Sequence, residues 1–251
     1  MAKSIPYLLT VVSNHKLSPN MRRITLSGPS LATFPPNQEG GYVKLVFPST
    51  TNDKPRVRTY TIKSCDPASQ QIVIDFVIHT DGGPASTWAE NAATGTPLAI
   101  MGPGLRKPVS QTADWFLIAG DMTALPAIRV NLQSLPENAK GHLVLEIMSE
   151  TDKSALDIAP DRLPPQLQVH WLINPHPGLQ GMLSDYLAQL QWLEGSPAIW
   201  IACELTEVLK ARTLIREKSA GNTASAYFSS YWQFGMTEDR HKIEKRRLLG
   251  S

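Results

Sequence analysis

The chain has 251 residues, with 24 Lys and Arg against 22 Asp and Glu, so its formal charge at pH 7 is +2. That near balance excludes a global attraction to nucleic acid or an anionic membrane, while leaving room for a local basic patch. Cys65 and Cys203 are the only cysteines, far apart and in no ligand cluster, which excludes a disulfide framework or structural zinc site and favours a reducing compartment.

The opening MAKSIPYLLTVVSNHK has too short an apolar part for a membrane span and no small-residue cleavage pattern, so neither signal peptide nor anchor is expected and the protein is placed in the cytoplasm. The uncharged stretch over residues 163–184 is broken by Gln, His, Asn and prolines and is no transmembrane helix. The first hundred residues then read as short strands separated by turns: YLLTVV, MRRITLS, YVKLVF, RTYTIKS, IVIDFVIH and PLAIMG. Their β-branched and aromatic content, punctuated by Pro, Gly, Asn and Asp, predicts an antiparallel β-barrel with one helix beginning near Pro84. From Trp115 the rhythm changes to apolar strand and helix in alternation: WFLIAG, TALPAIRVNLQSL, HLVLEIM, LQVHWLI, GMLSDYLAQLQWL, AIWIAC and ELTEVLKARTLIREKS. This predicts an α/β domain with a parallel sheet covered on both faces, closing with a strand in SAYFSSYWQFG and a basic helix in TEDRHKIEKRRLL. The Gly- and Pro-rich connector over residues 102–114 sets the expected domains at 1–108 and 109–251.

Two stretches carry chemistry. In RVRTYTIKS, strand alternation points Arg58, Tyr60 and Ile62 one way and Thr59, Thr61 and Lys63 the other. Arg58 has the donor fork to clamp a phosphate, Tyr60 beside it can lie against an aromatic ring, and Thr61 can offer its hydroxyl or N–H to a ring nitrogen. An ordinary barrel strand with a surface Arg and a core Tyr remains the alternative. In HTDGGPAS a strand feeds a helix start: Gly82 and Gly83 permit a close approach, Pro84 suits the first helical position, Ser86 and Thr87 carry hydroxyls, and first-turn amides favour an anion. An unliganded helix start is the alternative here.

RTYTIK, HTDGGPASTWAENA, AGDMTALPAI and YWQFG together resemble the siderophore-interacting protein family, a branch of the ferredoxin reductase superfamily, over nearly the whole chain. The resemblance implies a ferric-siderophore reductase with bound FAD. On matching positions, Arg58, Tyr60, Thr61 and Ile62 would meet the flavin and its phosphates, Gly83, Pro84, Ala85 and Ser86 would receive the pyrophosphate, and His79 would lie in the same pocket. Asp121, Thr123 and Ala124 would border cofactor or nicotinamide, with Tyr231 and Trp232 on the flavin side. Lys63 stands where the family often has Arg, which keeps charge but loses bidentate geometry. Cys203, at a position where the family commonly has glycine, is read as packing or cofactor contact.

Reduction of chelated Fe(III) takes one electron at a time, and flavin chemistry bridges that to a two-electron donor. For anionic siderophore complexes, Lys44, Lys63, Arg106, Lys107, Lys245, Arg246 and Arg247 are the candidate cationic contacts; a solvated basic helix is the alternative for the last three. The donor is left open between NADH, NADPH and ferredoxin: Glu150 is placed to hold a ribose and Lys153 to accept an extra phosphate. An NAD(P)H-dependent reductase with another acceptor, and a flavin-containing siderophore carrier, are the competing readings. A monomer without nucleic-acid partners is expected.

Overall fold

The computed structural model describes residues 6–47, 55–79, 83–219 and 225–250. It divides into two compact units, Met1–Lys107 and Pro108–Ser251.

The first unit is a seven-stranded antiparallel sheet of β1 (Tyr7–Ser18), β2 (Met21–Ser27), β3 (Tyr42–Phe47), β4 (Arg56–Thr61), β5 (Ser64–Asp66), β6 (Gln71–Val77) and β7 (Pro97–Gly104), with helix α1 (Pro84–Asn91) after β6. The spatial order is β4-β3-β7-β1-β2-β6-β5. Strand alternation sends Leu9 and Val11, Ile24 and Leu26, Val43 and Leu45 inward, and each is at most 2% exposed. The expected barrel is met as an antiparallel sheet; among the described residues no ladder joins its two edges. Those edges are nevertheless consecutive in the chain. Only Ile62 and Lys63 separate β4 from β5, and the Lys63 N–H donates to Val73 O at 3.0 Å. Asp75, the one charge inside β6, is taken up by Arg23 of β2, whose Nε and Nη2 donate to its two oxygens at 2.7 Å.

The second unit is a parallel sheet of β8 (Trp115–Gly120), β9 (Lys140–Ile147), β10 (Gln166–Ile173), β11 (Pro197–Glu204) and β12 (Ala226–Trp232), in the order β10-β9-β8-β11-β12. All six residues of β8 are buried, as a central strand covered on both faces requires. Helices α2 (Leu125–Gln133), α3 (Met182–Gln189), α4 (Leu205–Lys218) and α5 (Glu238–Leu249) connect or follow the strands, with a 3-10 turn over Glu150–Leu156 after β9. The chain winds outward from β8 to β10, then crosses to β11, so the switch point lies between β8 and β11, where open α/β sheets hold ligands beyond the strands' carboxyl ends.

Helix α3 stops at Gln189, short of the apolar pattern that runs to Leu193, because Leu190 turns extended. Trp192 leaves the helix to meet Trp115 edge-on at 4.8 Å, and Gln191 O is held by His142 Nε2 at 3.1 Å. A carbonyl only accepts, so His142 carries its proton on Nε2, and its Nδ1 accepts from His170 Nε2 at 3.1 Å. His170 Nδ1 then accepts from the Tyr186 hydroxyl at 2.8 Å. Burial lowers the affinity of both rings for a further proton, so this chain of neutral groups fastens α3 to β9 and β10.

Candidate functional site

Within the first unit, β4 is an edge strand, paired among the described residues with β3 alone. Its register sets Arg58 opposite Leu45 and Tyr60 opposite Val43, both core residues, while Thr59 faces Lys44 and Thr61 faces Tyr42 on the other side. Arg58 and Tyr60 are half-buried at the rim, and Arg58 Nη1 donates to Val57 O at 2.9 Å. The Tyr60 ring lies 4.5 Å from Phe76 of β6, Phe76 lies 5.7 Å from Trp88 of α1, and Trp88 lies 5.6 Å from Phe47 of β3. This aromatic chain ties the Arg58–Tyr60 rim to α1, so two stretches distant in sequence belong to one patch. Ile62 departs from its expected contact role. It is 0% exposed in the core, its N–H donates to Gly41 O at 2.8 Å, and its carbonyl accepts from Gly40 at 2.9 Å. Its part is to fix the strand end that presents Thr61 and Lys63.

Gly83 is the N-cap of α1 and Pro84 its first residue, so the amides of Ala85 and Ser86 have no partner within the helix. Gly83 has φ −64° and ψ 159°, a conformation open to any residue. Among the described residues, a Cβ there would meet only the His79 ring, at ordinary contacts of 3.7 and 3.8 Å. Neither backbone strain nor a neighbour among the described residues therefore accounts for glycine. The open space at the amino end of the helix fits the close approach of a phosphate, the group a pyrophosphate-bearing cofactor brings. Ser86 is 2% exposed and its hydroxyl accepts from the His79 N–H at 3.3 Å. Its hydroxyl thus joins strand end to helix start, leaving the amide as its anion donor. Ala85 is also buried, so its backbone amide is the group it has to offer a ligand there. Gly82 lies outside the described residues.

The expected cationic contacts divide. Lys44 is exposed on β3, Lys63 is half-buried beyond β4, and Arg106 and Lys107 are exposed near the end of the unit. In the second unit Arg246 and Arg247 are exposed on α5, with Arg247 paired to Glu244 at 2.7 Å. Lys245 is not an open-groove residue: its Nζ donates to Ser229 Oγ and Ser230 O, each at 2.9 Å, fastening α5 to β12. Burial lowers its pKa, and beside it the buried His241 meets Ser230 Oγ at 2.6 Å.

At the carboxyl edge of the second sheet, Asp121 follows β8 as an N-cap, 4% exposed. Its Oδ1 accepts from the Thr123 amide at 2.9 Å and from the Thr123 hydroxyl, and its Oδ2 accepts from Trp232 Nε1 at 2.7 Å. Asp121 and Thr123 thus spend these groups on each other and on Trp232. Ala124 is 0% exposed beneath them, so its side chain belongs to the core. Trp232 and Tyr231 end β12 half-buried. Trp232 is gripped from a second side by Gly178, whose φ of +84° and missing Cβ, which would come within 2.9 Å of the indole, admit no larger residue. Glu204 caps α4 through Thr206 and Glu207 and accepts from Phe234 N at 3.2 Å. Glu207 accepts from Ser184 N at 2.8 Å at the start of α3. Cys203 is 1% exposed, and burial, with Asp121, Glu207, Glu146 and Glu204 around it, pushes its pKa well up, so it is a packed thiol. Glu150 is exposed and ion-paired with Lys153, whose Nζ lies 5.8 Å from the Trp171 ring.

Two participants escaped the sequence, Phe76 and the buried acid Glu146 of β9, and Trp88 entered it only as part of the family stretch, with no role given. A charge inside the apolar run HLVLEIM was the signal for Glu146. The carboxylate caps could have been read from E-x-x-E at Glu204 and Glu207.

No helix among the described residues is long and apolar enough to cross a membrane. Residues 10–57 and 49–107 match the family model described as siderophore-interacting FAD-binding domain, and residues 113–235 match siderophore-interacting protein. The chain is 32% identical to ferric vibriobactin reductase ViuB of Vibrio cholerae, over 97% of this chain and 95% of that one. Its fold is similar to the crystal structure of siderophore-interacting protein SipS from Aeromonas hydrophila, with TM-score 0.83, 30% identity and 98% of each chain covered. A siderophore utilization protein from T. fusca aligns with TM-score 0.80 and 26% identity over 93% of this chain and 94% of that one. An FAD-type antiparallel unit, a parallel-sheet unit, and these matches along both identify the chain as a member of the siderophore-interacting protein family, within the ferredoxin-reductase-like FAD-binding superfamily.

Proposed function

We propose that the protein is an FAD-dependent ferric-siderophore reductase acting in intracellular iron assimilation. The observation that carries this reading is the start of α1: a glycine that neither its φ nor its neighbours among the described residues require, at a helix amino end joined through Trp88, Phe76 and Tyr60 to the Arg58 rim. When bound, FAD supplies the conversion between two-electron reduction and one-electron release. Arg58 would hold a phosphate through its charged fork, and the first-turn amides of Ala85 and Ser86 would hold the pyrophosphate. Tyr60 would cover one face of the ring system, and Thr61 and His79 would line its edge. Lys44, Lys63 and the exposed Arg246 and Arg247 would be the cations that help to recruit an anionic chelate, Arg247 from beside its partner Glu244.

The iron step adds one electron to the chelate, taking Fe(III) to Fe(II). No bond to the protein forms, so no protein acid or base is needed. Fe(II) is bound less tightly by hard oxygen ligands and leaves the chelate more readily. NADH, NADPH or a ferredoxin would supply the electrons, with Asp121, Thr123, Glu150 and Lys153 as the second unit's candidate donor contacts.

The test is anaerobic mixing of chemically pre-reduced protein with a panel of ferric siderophores, following flavin reoxidation and trapped Fe(II). Reoxidation above the uncatalysed control is expected. Failure with every siderophore, together with rapid reoxidation by a different acceptor, would instead assign an NAD(P)H-dependent reductase of another chelate or protein. Binding of flavin and siderophore without turnover would assign a carrier. Raising ionic strength should slow association of anionic chelates and spare neutral ones.

A further inference from the structure

Of the carboxyl side chains buried around the carboxyl edge of the second sheet, Asp121, Glu204 and Glu207 have their oxygens answered by donors, as Asp152 is by Ser149. Asp121 receives Thr123 and Trp232, Glu204 receives Thr206, Glu207 and Phe234, and Glu207 receives Ser184 with Lys210 at 3.6 Å. Glu146, at 5% exposure, differs. Asn174 Nδ2 donates to its Oε1 at 3.1 Å, while its Oε2 is fully buried and receives no hydrogen bond from any described residue. The titratable groups facing it are Asp121 after β8, Glu207 on α4 and Cys203 at the end of β11. A buried carboxylate with one unanswered oxygen among other carboxylates is among the costlier arrangements a fold can hold, and a proton on that oxygen removes the cost.

We propose that Glu146 carries a proton on Oε2 at neutral pH and is a positioning residue: while it is neutral, Asp121 is left as the charge that holds the Trp232 indole and the Thr123 amide at the switch point. Burial raises the pKa of Asp121 as well, but the Thr123 hydroxyl and amide, the Trp232 indole N–H and the Glu204 N–H all favour its charged form, whereas Glu146 has the Asn174 amide and the weaker pull of the Leu183 N–H, so Asp121 is the member of the pair that stays ionised. Burial, then the charges of Asp121 and Glu207, push the Glu146 pKa up to about 8, against the opposing pull of Asn174 and the Leu183 N–H. Above that pH a second negative charge appears beside Asp121, and the arm ending in Trp232 feels it directly. For catalysis this rests on reading the second unit as the donor-binding half, and the consequence is a donor site that loosens in alkali.

The experiment has three arms. Infrared difference spectra of the wild-type holoprotein against Glu146→Gln should show a protonated carboxyl band at pH 7 that disappears with a midpoint near 8 and is missing in the variant. The 15N-indole resonance of Trp232, assigned with Trp232→Phe, should titrate with the same midpoint in wild type and stay flat in Glu146→Gln. KM for whichever nicotinamide donor is oxidised should rise several-fold between pH 7 and pH 9 in wild type and not in Glu146→Gln. A missing carboxyl band at pH 7, or a Trp232 resonance that is flat in wild type, overturns the proposal, and the Trp232 titration in wild type needs no substitution at Glu146 to fold. If neither NADH nor NADPH is oxidised while the first two arms come out as expected, the proton and its hold on Trp232 stand and the donor reading is what fails.

Discussion

Gly83→Ala separates what the fold needs from what the cofactor needs. At φ −64° and ψ 159° alanine is unstrained, and its Cβ would rest 3.7 Å from the His79 ring. Reducing the freedom of the unfolded chain contributes about 0.4–1 kcal/mol of stability in such a position. Alanine is a poorer N-cap than glycine, and that loss is on the order of 0.5–1 kcal/mol. The two terms oppose each other, so the apoprotein should change by less than about 1 kcal/mol, within roughly 4 °C in Tm for a chain of this size. For the cofactor nothing offsets the change. A methyl group occupies the space through which a phosphate would reach the Ala85 and Ser86 amides, and losing one charge-assisted hydrogen bond costs about 1.5–3 kcal/mol, a drop in FAD affinity of roughly ten- to over one hundred-fold. Equilibrium FAD titration of the apoprotein, followed by flavin fluorescence and paired with thermal unfolding without FAD, reads both quantities. Wild-type FAD affinity in a folded Gly83→Ala protein would refute the placement of the pyrophosphate at the start of α1. A large loss of apoprotein stability would refute the claim that the fold itself does not need glycine there.

Other expectations follow from the same geometry. Arg58→Ala should weaken FAD binding by at least tenfold, through loss of a charged phosphate contact, while shifting apoprotein unfolding little; unchanged affinity in the same titration removes Arg58 from the site. Lys245→Ala should destabilise the second unit by about 1.5–3 kcal/mol, because two buried 2.9 Å bonds from a cation are lost. Hydrogen exchange should then quicken across α5 and β12, while the salt dependence of siderophore association stays as in wild type; the opposite pattern would return Lys245 to the substrate groove. Glu146 binds its proton more tightly in the folded protein, at about 8 against an ordinary 4.5, so its contribution to stability is complete below 4.5 and lost as pH rises to about 8. Urea unfolding should therefore show wild type losing up to about 1.4 kcal/mol per pH unit relative to Glu146→Gln in that interval. Parallel pH curves for the two proteins would mean an ordinary carboxyl.

Local pattern carried the fold as far as pairing type. YLLTVV and YVKLVF alternate because one face meets the core, whereas WFLIAG does not alternate because both faces are covered, and this difference separated an antiparallel unit from a parallel one before any coordinates. What local pattern does not contain is the use of an edge. The ladders run from β4 to β5 without joining, although only two residues separate those strands, and that depends on where the chain bends at Ile62. The end of α3 was misread for a similar reason. Leu190 and Leu193 keep the helical spacing, but Trp192 gains more against Trp115, and His142 claims the Gln191 carbonyl from another strand.

The site was legible where function depends on backbone and illegible where it depends on who answers a buried charge. Glycine, proline and a strand-to-helix joint announce exposed amides wherever they occur, so the start of α1 could be read from eight residues. Lys245 looks from sequence like its neighbours Arg246 and Arg247, yet one helical position turns it toward Ser229 and Ser230 and makes it a fastening, while its neighbours remain in solvent. Glu146 is the sharper case. HLVLEIM shows that a charge enters an apolar strand, but the state of that charge depends on Asn174 after β10, Asp121 after β8, Glu207 on α4 and the start of α3, brought together only by the crossover order of the sheet. A carboxyl met by several donors there is drawn back toward its charged form against burial, as Asp121 is; met by fewer, as Glu146 is, it becomes a holder of protons. The number of donors reaching a side chain is a property of topology, and that is why the most chemically unusual residue of the second unit was the one its own sequence neighbours could not explain.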